Sequence, residues 1–159
     1  MAEIQAKILV VDDDADIREV VRILLEASGY HVTEVADGMS AVAYLKQHPE
    51  VYPYLTERAE QLLNGLKQLI DHYHMPCTVT GVGSLSCLYF TEQTVTNYEL
   101  AKTADTELFR QYFHFMLERG NYFAPSQFEA IFLSAAHTEA DIAKTLSDAE
   151  SFFQMISHK

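Results

Sequence analysis

Three consecutive carboxylates, Asp12, Asp13 and Asp14, close the apolar run K-I-L-V-V at residues 7–11. Acids at the carboxyl end of a buried parallel strand stand where open α/β sheets bind ligands. Clustered hard oxygens suit Mg²⁺, so these acids are a candidate for a weak metal site. The same cluster also suits a helix start, with Asp14 as N-cap and the acids favoured by the helix dipole. The other chemistry-bearing residues are scattered. His72 and His74 flank Tyr73 near a helix end, and no third ligand joins them at metal-site spacing. Gly81-Val82-Gly83-Ser84 has the composition of a phosphate loop, but no helix follows it, so it reads as a hairpin turn. Ser84, Ser126 and Ser134 lack the strand–turn–helix context of an activated nucleophile. His114 and His137 complete no triad. Cys77 and Cys87, the two cysteines, are too few for a disulfide framework and read as thiols of a reducing, cytoplasmic compartment.

The elements that must position these groups follow from periodicity. Lys7 to Val11 reads as a buried parallel strand. Ile17, Val20, Val21, Leu24 and Leu25 recur at helical spacing until Gly29. His31 to Ala36 is a second strand, and Ser40 to Gln47 a short helix after the Asp37-Gly38 turn. This βαβα order predicts a parallel pair. Pro49 and Pro53 interrupt any helix crossing them. Beyond Pro53, Leu55, Ala59, Leu62, Leu66 and Leu69 form the seam of a helix running to about His72. Cys77 to Gly81 and Leu85 to Thr91 pair as a hairpin with Leu88 and Phe90 on one face and Cys87 and Tyr89 on the other. Thr94 to Thr103 is a polar loop. Asp105 caps a helix carrying Phe109, Tyr112, Phe113, Met116 and Leu117. Tyr122 to Pro125 is at most an edge strand, and Ile131 to Ala135 a further one. Thr138 and Asp141 make a capping box before a last helix whose inner face is Ile142, Leu146, Ala149, Phe153 and Ile156.

The 159 residues are 48% hydrophobic and 21% charged, ordinary for a globular chain. A net charge of -12, with only 11 Lys and Arg, excludes a phosphate-reading basic stripe, so no nucleic-acid partner is expected. No apolar run is long enough for a membrane span, and the start is polar and acidic, unlike a signal peptide.

Two resemblances divide the chain. K-I-L-V-V-D-D-D-A-D-I-R-E followed by G-Y-H-V-T-E-V-A-D-G resembles a response-regulator receiver domain over about residues 1–48. That resemblance implies a flavodoxin-like fold and Mg²⁺ held by Asp12 and Asp13. It also implies a phosphoacceptor aspartate, a Thr or Ser and a Lys further on, none of which can be placed here. N-Y-E-L-A-K at 97–102, F-H-F-M-L-E-R-G-N-Y-F-A-P-S-Q-F-E-A at 113–130 and S-A-A-H-T-E-A-D-I at 134–142 resemble the carboxyl-terminal small domain of glutamate-1-semialdehyde 2,1-aminomutase, over roughly residues 52–156. The resemblance implies that Glu129 faces an active site whose pyridoxal phosphate is held mainly by a separate large domain. Lys67, Lys102 and Lys144 do not sit in the motif of the cofactor lysine. Ser86 departs from the pattern, standing where an apolar residue is expected.

These readings combine into one hybrid α/β domain over 1–159, with fragments 1–48 and 49–159. It would be a single mixed sheet of about five strands with flanking helices: a flavodoxin-like βαβα start, then an antiparallel hairpin and further α/β units. The functional expectation is an engineered or recombined chimera with a structural role and no catalytic activity. Its alternative is a degenerate receiver-like module that binds Mg²⁺ or a protein through the acidic cluster. No pyridoxal phosphate is expected, Glu129 being a remnant. Self-association through a former interface is the expected partnership.

Overall fold

The computed structural model describes residues 7–157. The chain divides into two compact units at Pro53, a few residues past the expected join.

The first unit opens with β1 (Lys7–Val11), α1 (Ala15–Ala27), β2 (His31–Val35) and α2 (Gly38–Lys46). β1 and β2 pair in parallel, from Lys7 opposite His31 to Val11 opposite Val35, as the βαβα order predicts. Both helix starts are capped by aspartates. Asp14 accepts from the Asp16 and Ile17 amides, and Asp37 from that of Ser40. Gly29 follows α1 with φ +88°, the left-handed conformation that glycine adopts without a Cβ clash. Arg22 links α1 to β2 by contacting Glu26 at 2.8 Å and Glu34 at 2.9 Å. No described residue of this unit is buried.

The long helix α3 (Val51–Tyr73) begins two residues before Pro53 rather than after it. Proline is tolerated there because first-turn amides have no intrahelical acceptor. His74, at φ +50°, ends the helix, and the Met75 amide reaches back to the Ile70 carbonyl at 3.0 Å, a Schellman-type stop.

The second unit adds β3 (Thr78–Val82), β4 (Leu85–Tyr89), α4 (Tyr98–Ala101), α5 (Thr106–Leu117), β5 (Ile131–Phe132) and α6 (Glu139–Ser157). Its sheet is antiparallel in the order β3-β4-β5. The expected single sheet of about five strands is therefore not formed: a two-stranded and a three-stranded sheet take its place. The reason is local. The apolar face of the hairpin, Val79, Leu88 and Phe90, is used up in a core shared with α3, α5 and α6. Phe152, Phe153, Met116 and Ala149 are completely enclosed, with Leu62, Leu66 and Ile142 beside them. Tyr112 sits among the rings of Phe152 (5.3 Å), Phe90 (5.6 Å) and Phe123 (5.8 Å).

Smaller departures have equally local causes. The polar stretch 94–103 contains α4 because Asn97 caps it through the Leu100 amide. The strand expected over Ile131–Ala135 is only Ile131–Phe132, since Ser134 and His137 form a hydrogen-bonded turn immediately after it. Tyr122 to Pro125 is not a strand. The capping box forms as read, with Thr138 and Asp141 bonding reciprocally at 2.8 and 3.2 Å.

Candidate functional site

The segment 122–133 carries the most chemistry because it lines two clefts. It leaves α5 through Gly120, whose φ of +81° turns the chain back. Gln127 is buried and donates to the Ala101 carbonyl at 3.4 Å. Its neighbours Phe128 and Glu129 consequently face outward, and Phe128 rests against Tyr98 with ring centres 5.6 Å apart. Ser126 tightens the turn, its Oγ accepting from the Phe128 amide and its carbonyl from the Glu129 amide. The Glu129 carbonyl lies 3.9 Å from the Cys87 thiol on β4.

The first cleft, of about 550 Å³, is walled by Tyr122, Phe123, Pro125, Ile131 and Phe132, with Glu129 its only ionisable acid. Tyr122 and Phe132 are 78% and 70% exposed. A carboxylate on an aromatic wall can hold a small cationic or hydrogen-bonding ligand while the rings exclude water. The second cleft, of about 290 Å³, carries Asn121, His137, Asp141, Lys144 and Thr145. Its polar groups are already occupied. Lys144 donates to the Arg119 carbonyl (2.6 Å) and to Asp148 (2.7 Å), and Thr145 donates to Asn121 (2.9 Å). His137 Nδ1 accepts from the Ser134 amide at 3.0 Å, so its proton sits on Nε2. The Ser134 hydroxyl, also 3.0 Å from Nδ1, belongs to this turn and is not an activated nucleophile.

Of the sequence candidates, Glu129 stands in the first cleft and the aspartates in the other unit. Asp12 accepts from the Asp14 amide at 2.8 Å, and Asp14 is spent as an N-cap. Among the described residues, no group of three His, Cys, Asp or Glu is placed to hold a metal ion. His72 lies edge-on to the Tyr73 ring, and His74 is the helix stop. Both cysteines are free. Cys87 pairs with Thr80, so it lies three residues along the hairpin from Cys77. Burial pushes the Cys77 thiol up to about 12. Sequence reasoning missed Tyr122 and Phe132, whose exposure depends on how the segment is held. It also missed Arg58, buried yet contacting Glu57 at 2.6 Å and standing over the Tyr54 ring at 5.4 Å.

No protein-family model matches the chain. Individual relatives do. It is 49% identical over 121 residues to glutamate-1-semialdehyde 2,1-aminomutase 2 of Lachnoclostridium phytofermentans, a match spanning 76% of this chain and 28% of that protein. The chain is similar to glutamate-1-semialdehyde 2,1-aminomutases. The enzyme of Persephonella marina is 42% identical over 77% of the chain and 28% of its own length. Among solved structures, a β-phenylalanine aminotransferase from Variovorax paradoxus superposes with a TM-score of 0.59 at 29% identity, over 64% of this chain and 23% of that one. A glutamate-1-semialdehyde aminomutase from Pseudomonas aeruginosa, at 20% identity and a TM-score of 0.60, shares the fold. The same enzyme has been solved with PMP bound. The chain thus spans about a quarter of the length of the relatives it matches.

These matches overturn the reading of the chain as an engineered or recombined chimera. The relatives are natural enzymes. A match of 121 residues in 159 leaves 38 outside it, so wherever it falls it extends past Pro49 into the supposed receiver fragment. The receiver resemblance of residues 1–48 gains no support, since no family model matches and the proteins matched above are aminomutases and an aminotransferase. The expectation of a non-enzyme without catalytic activity stands against relatives that are enzymes, of whose length this chain spans about a quarter. No helix among the described residues is long and apolar enough to cross a membrane.

Pyridoxal phosphate chemistry requires a tethering lysine and a phosphate cradle. The cleft at Glu129 offers neither a lysine nor an arginine. Lys102 pairs with Glu99 at 2.9 Å, and Lys144 is held as described. The residues present do not fit the whole cofactor.

Proposed function

We propose that the second unit is the substrate-facing wall of an aminomutase that moves an amino group between adjacent carbons of an amino aldehyde such as glutamate-1-semialdehyde. The observation that carries this reading is the 49% identity over 121 residues to an enzyme with that name. The geometry supports it. Large aromatic surface left in water is normally covered by a partner surface or a ligand, and Tyr122 and Phe132 border the cleft that holds Glu129. In this role Glu129 accepts hydrogen bonds from the substrate ammonium, and the aromatic wall keeps water away. The cofactor, its lysine and its phosphate site belong to protein outside the residues described here, and no step through the cofactor is assigned to this chain. The free thiols fit a reducing, cytoplasmic setting.

Fragment complementation tests the reading. The 159-residue chain is mixed with the Lachnoclostridium phytofermentans aminomutase lacking its matching segment, and conversion of glutamate-1-semialdehyde is followed. Turnover that appears only on mixing, and falls at least tenfold with Glu129→Gln, is the expected result. A complex that forms without turnover refutes it.

A further inference from the structure

The second unit has a third cleft, of about 310 Å³, which shares no lining residue with the two described above. Three rings, Tyr89, Tyr98 and Phe128, stand in its wall. They come from separate parts of the chain: Tyr89 ends β4, Tyr98 opens α4, and Phe128 lies between α5 and β5. Tyr98 and Phe128 form a corner, with ring centres 5.6 Å apart and planes inclined at 50°. The corner is held from both sides. Asn97 caps α4 through the Leu100 amide and so sets Tyr98 as the first helical residue. Gln127 ties the turn before Phe128 to the Ala101 carbonyl.

The wall is chemically selective. Among the described residues, no Asp, Glu, His, Lys or Arg lines it. A primary ammonium entering such a site gives up water and needs acceptors for its three N–H groups. Lys102 illustrates the point. Its ammonium stands over the Tyr98 ring, 5.3 Å from the centre, yet keeps Glu99 at 2.9 Å. A quaternary ammonium has no N–H to satisfy, so aromatic faces alone can hold it. Two further features favour a cation. The chain carries a net charge of -12. The Oε1 of Gln127 is buried without a partner, which leaves the negative end of that amide unmatched next to the Phe128 wall.

We propose that the Tyr89–Tyr98–Phe128 cleft binds a small quaternary ammonium compound through its ring faces. Its volume is at the lower end for a ligand site and suits one such head group. The Glu129 cleft, with its carboxylate, suits a primary ammonium instead. The proposal therefore does not rest on the aminomutase reading.

Choline is the probe. The control is the neutral alcohol of the same shape, in which carbon replaces the quaternary nitrogen. Each is titrated into the full chain and followed by proton NMR of the aromatic side chains. Choline should saturate in the millimolar range, with the neutral alcohol about tenfold weaker. Equal binding of the two overturns the proposal, because it describes a merely apolar slot. No saturation by about 50 mM choline also overturns it. Tyr98→Leu and Phe128→Leu keep apolar volume at exposed positions but remove a ring, and each should weaken choline about fivefold. Undiminished binding in both variants overturns the proposal. Lys102→Ala removes a like charge from the Tyr98 ring and should tighten binding; an affinity that fails to rise overturns it. Glu129→Gln should leave choline binding unchanged, and loss there overturns the proposal by placing choline in the other cleft. If a leucine variant fails to fold, Overhauser contacts of the choline methyls in the wild type decide. Contacts with the Tyr98 and Phe128 rings support the site, and contacts with Tyr122 and Phe132 alone, or with no ring, overturn it.

Discussion

Replacing Ser86 by alanine is expected to stabilise the protein. Ser86 is 4% exposed on the same side of β4 as Leu88, and its Oγ is buried without a hydrogen-bond partner. An unsatisfied buried hydroxyl costs about 1–3 kcal/mol of desolvation. Removing it also removes one oxygen's packing contacts and leaves a small void, a loss of roughly 0.5–1 kcal/mol. Its cross-strand neighbours, Gly81 and Ile131, make no side-chain hydrogen bond that the change would break. The desolvation gain wins, leaving a net stabilisation of about 1 kcal/mol. The chain has no tryptophan and nine tyrosines, so urea unfolding is best followed by tyrosine fluorescence and far-ultraviolet circular dichroism together. The expected result is a higher midpoint at unchanged slope. A lower midpoint for Ser86→Ala refutes the reasoning, because it means that the hydroxyl is paired in solution.

Gly65→Ala should destabilise the chain, although alanine in a helix normally gains about 1 kcal/mol over glycine. A Cβ there would stand 2.6 Å from Leu146 Cδ2 and 3.0 Å from its Cγ, so α3 and α6 must part or Leu146 must move. Overpacking of this kind costs about 1–3 kcal/mol, and Leu146→Ala in the same chain should recover part of it in a double-mutant cycle. Asp105→Ala should cost about 1 kcal/mol, read from the urea midpoint, because its carboxylate caps α5 through two amides, those of Glu107 and Leu108, each at 2.9 Å. Glu107, bonded to Arg110 and Gln111, titrates at about 2 instead of 4.5. A carboxylate depressed in the folded state contributes stability that is present above about 4.5 and is lost as pH falls toward 2. Glu107→Gln should therefore flatten the acid limb of a stability–pH curve within that window. Thiol labelling of the folded chain should modify Cys87 first and Cys77 only on unfolding, since Cys77 is buried and its thiolate strongly disfavoured.

Much of this protein is legible in the order of its residues, because the signals are local. The aspartate caps at Asp14 and Asp105, the Thr138–Asp141 box and the hairpin turn depend on neighbours within a few positions. The apolar periods of α3 and α6 identified their inner faces for the same reason. The A-P-S-Q-F-E-A string likewise pointed to the aminomutase relatives. Where local rules compete, the sequence misled. Two prolines suggested a break that the first turn of α3 accommodates at Pro53.

The sequence alone determined most of the elements, several of their caps, the apolar faces of the long helices and the family likeness of the larger part. Tertiary structure alone decided that five strands become two separate sheets, that Ser86 is sealed in with no partner, and that Tyr122 and Phe132 stand exposed beside Glu129. The physical reason is the range of the forces involved. Capping and periodicity act over three or four residues. Which apolar face is finally covered depends on surfaces brought together from distant parts of the chain. In the second unit those surfaces meet around Phe152 and Met116; in the first, no described residue is buried.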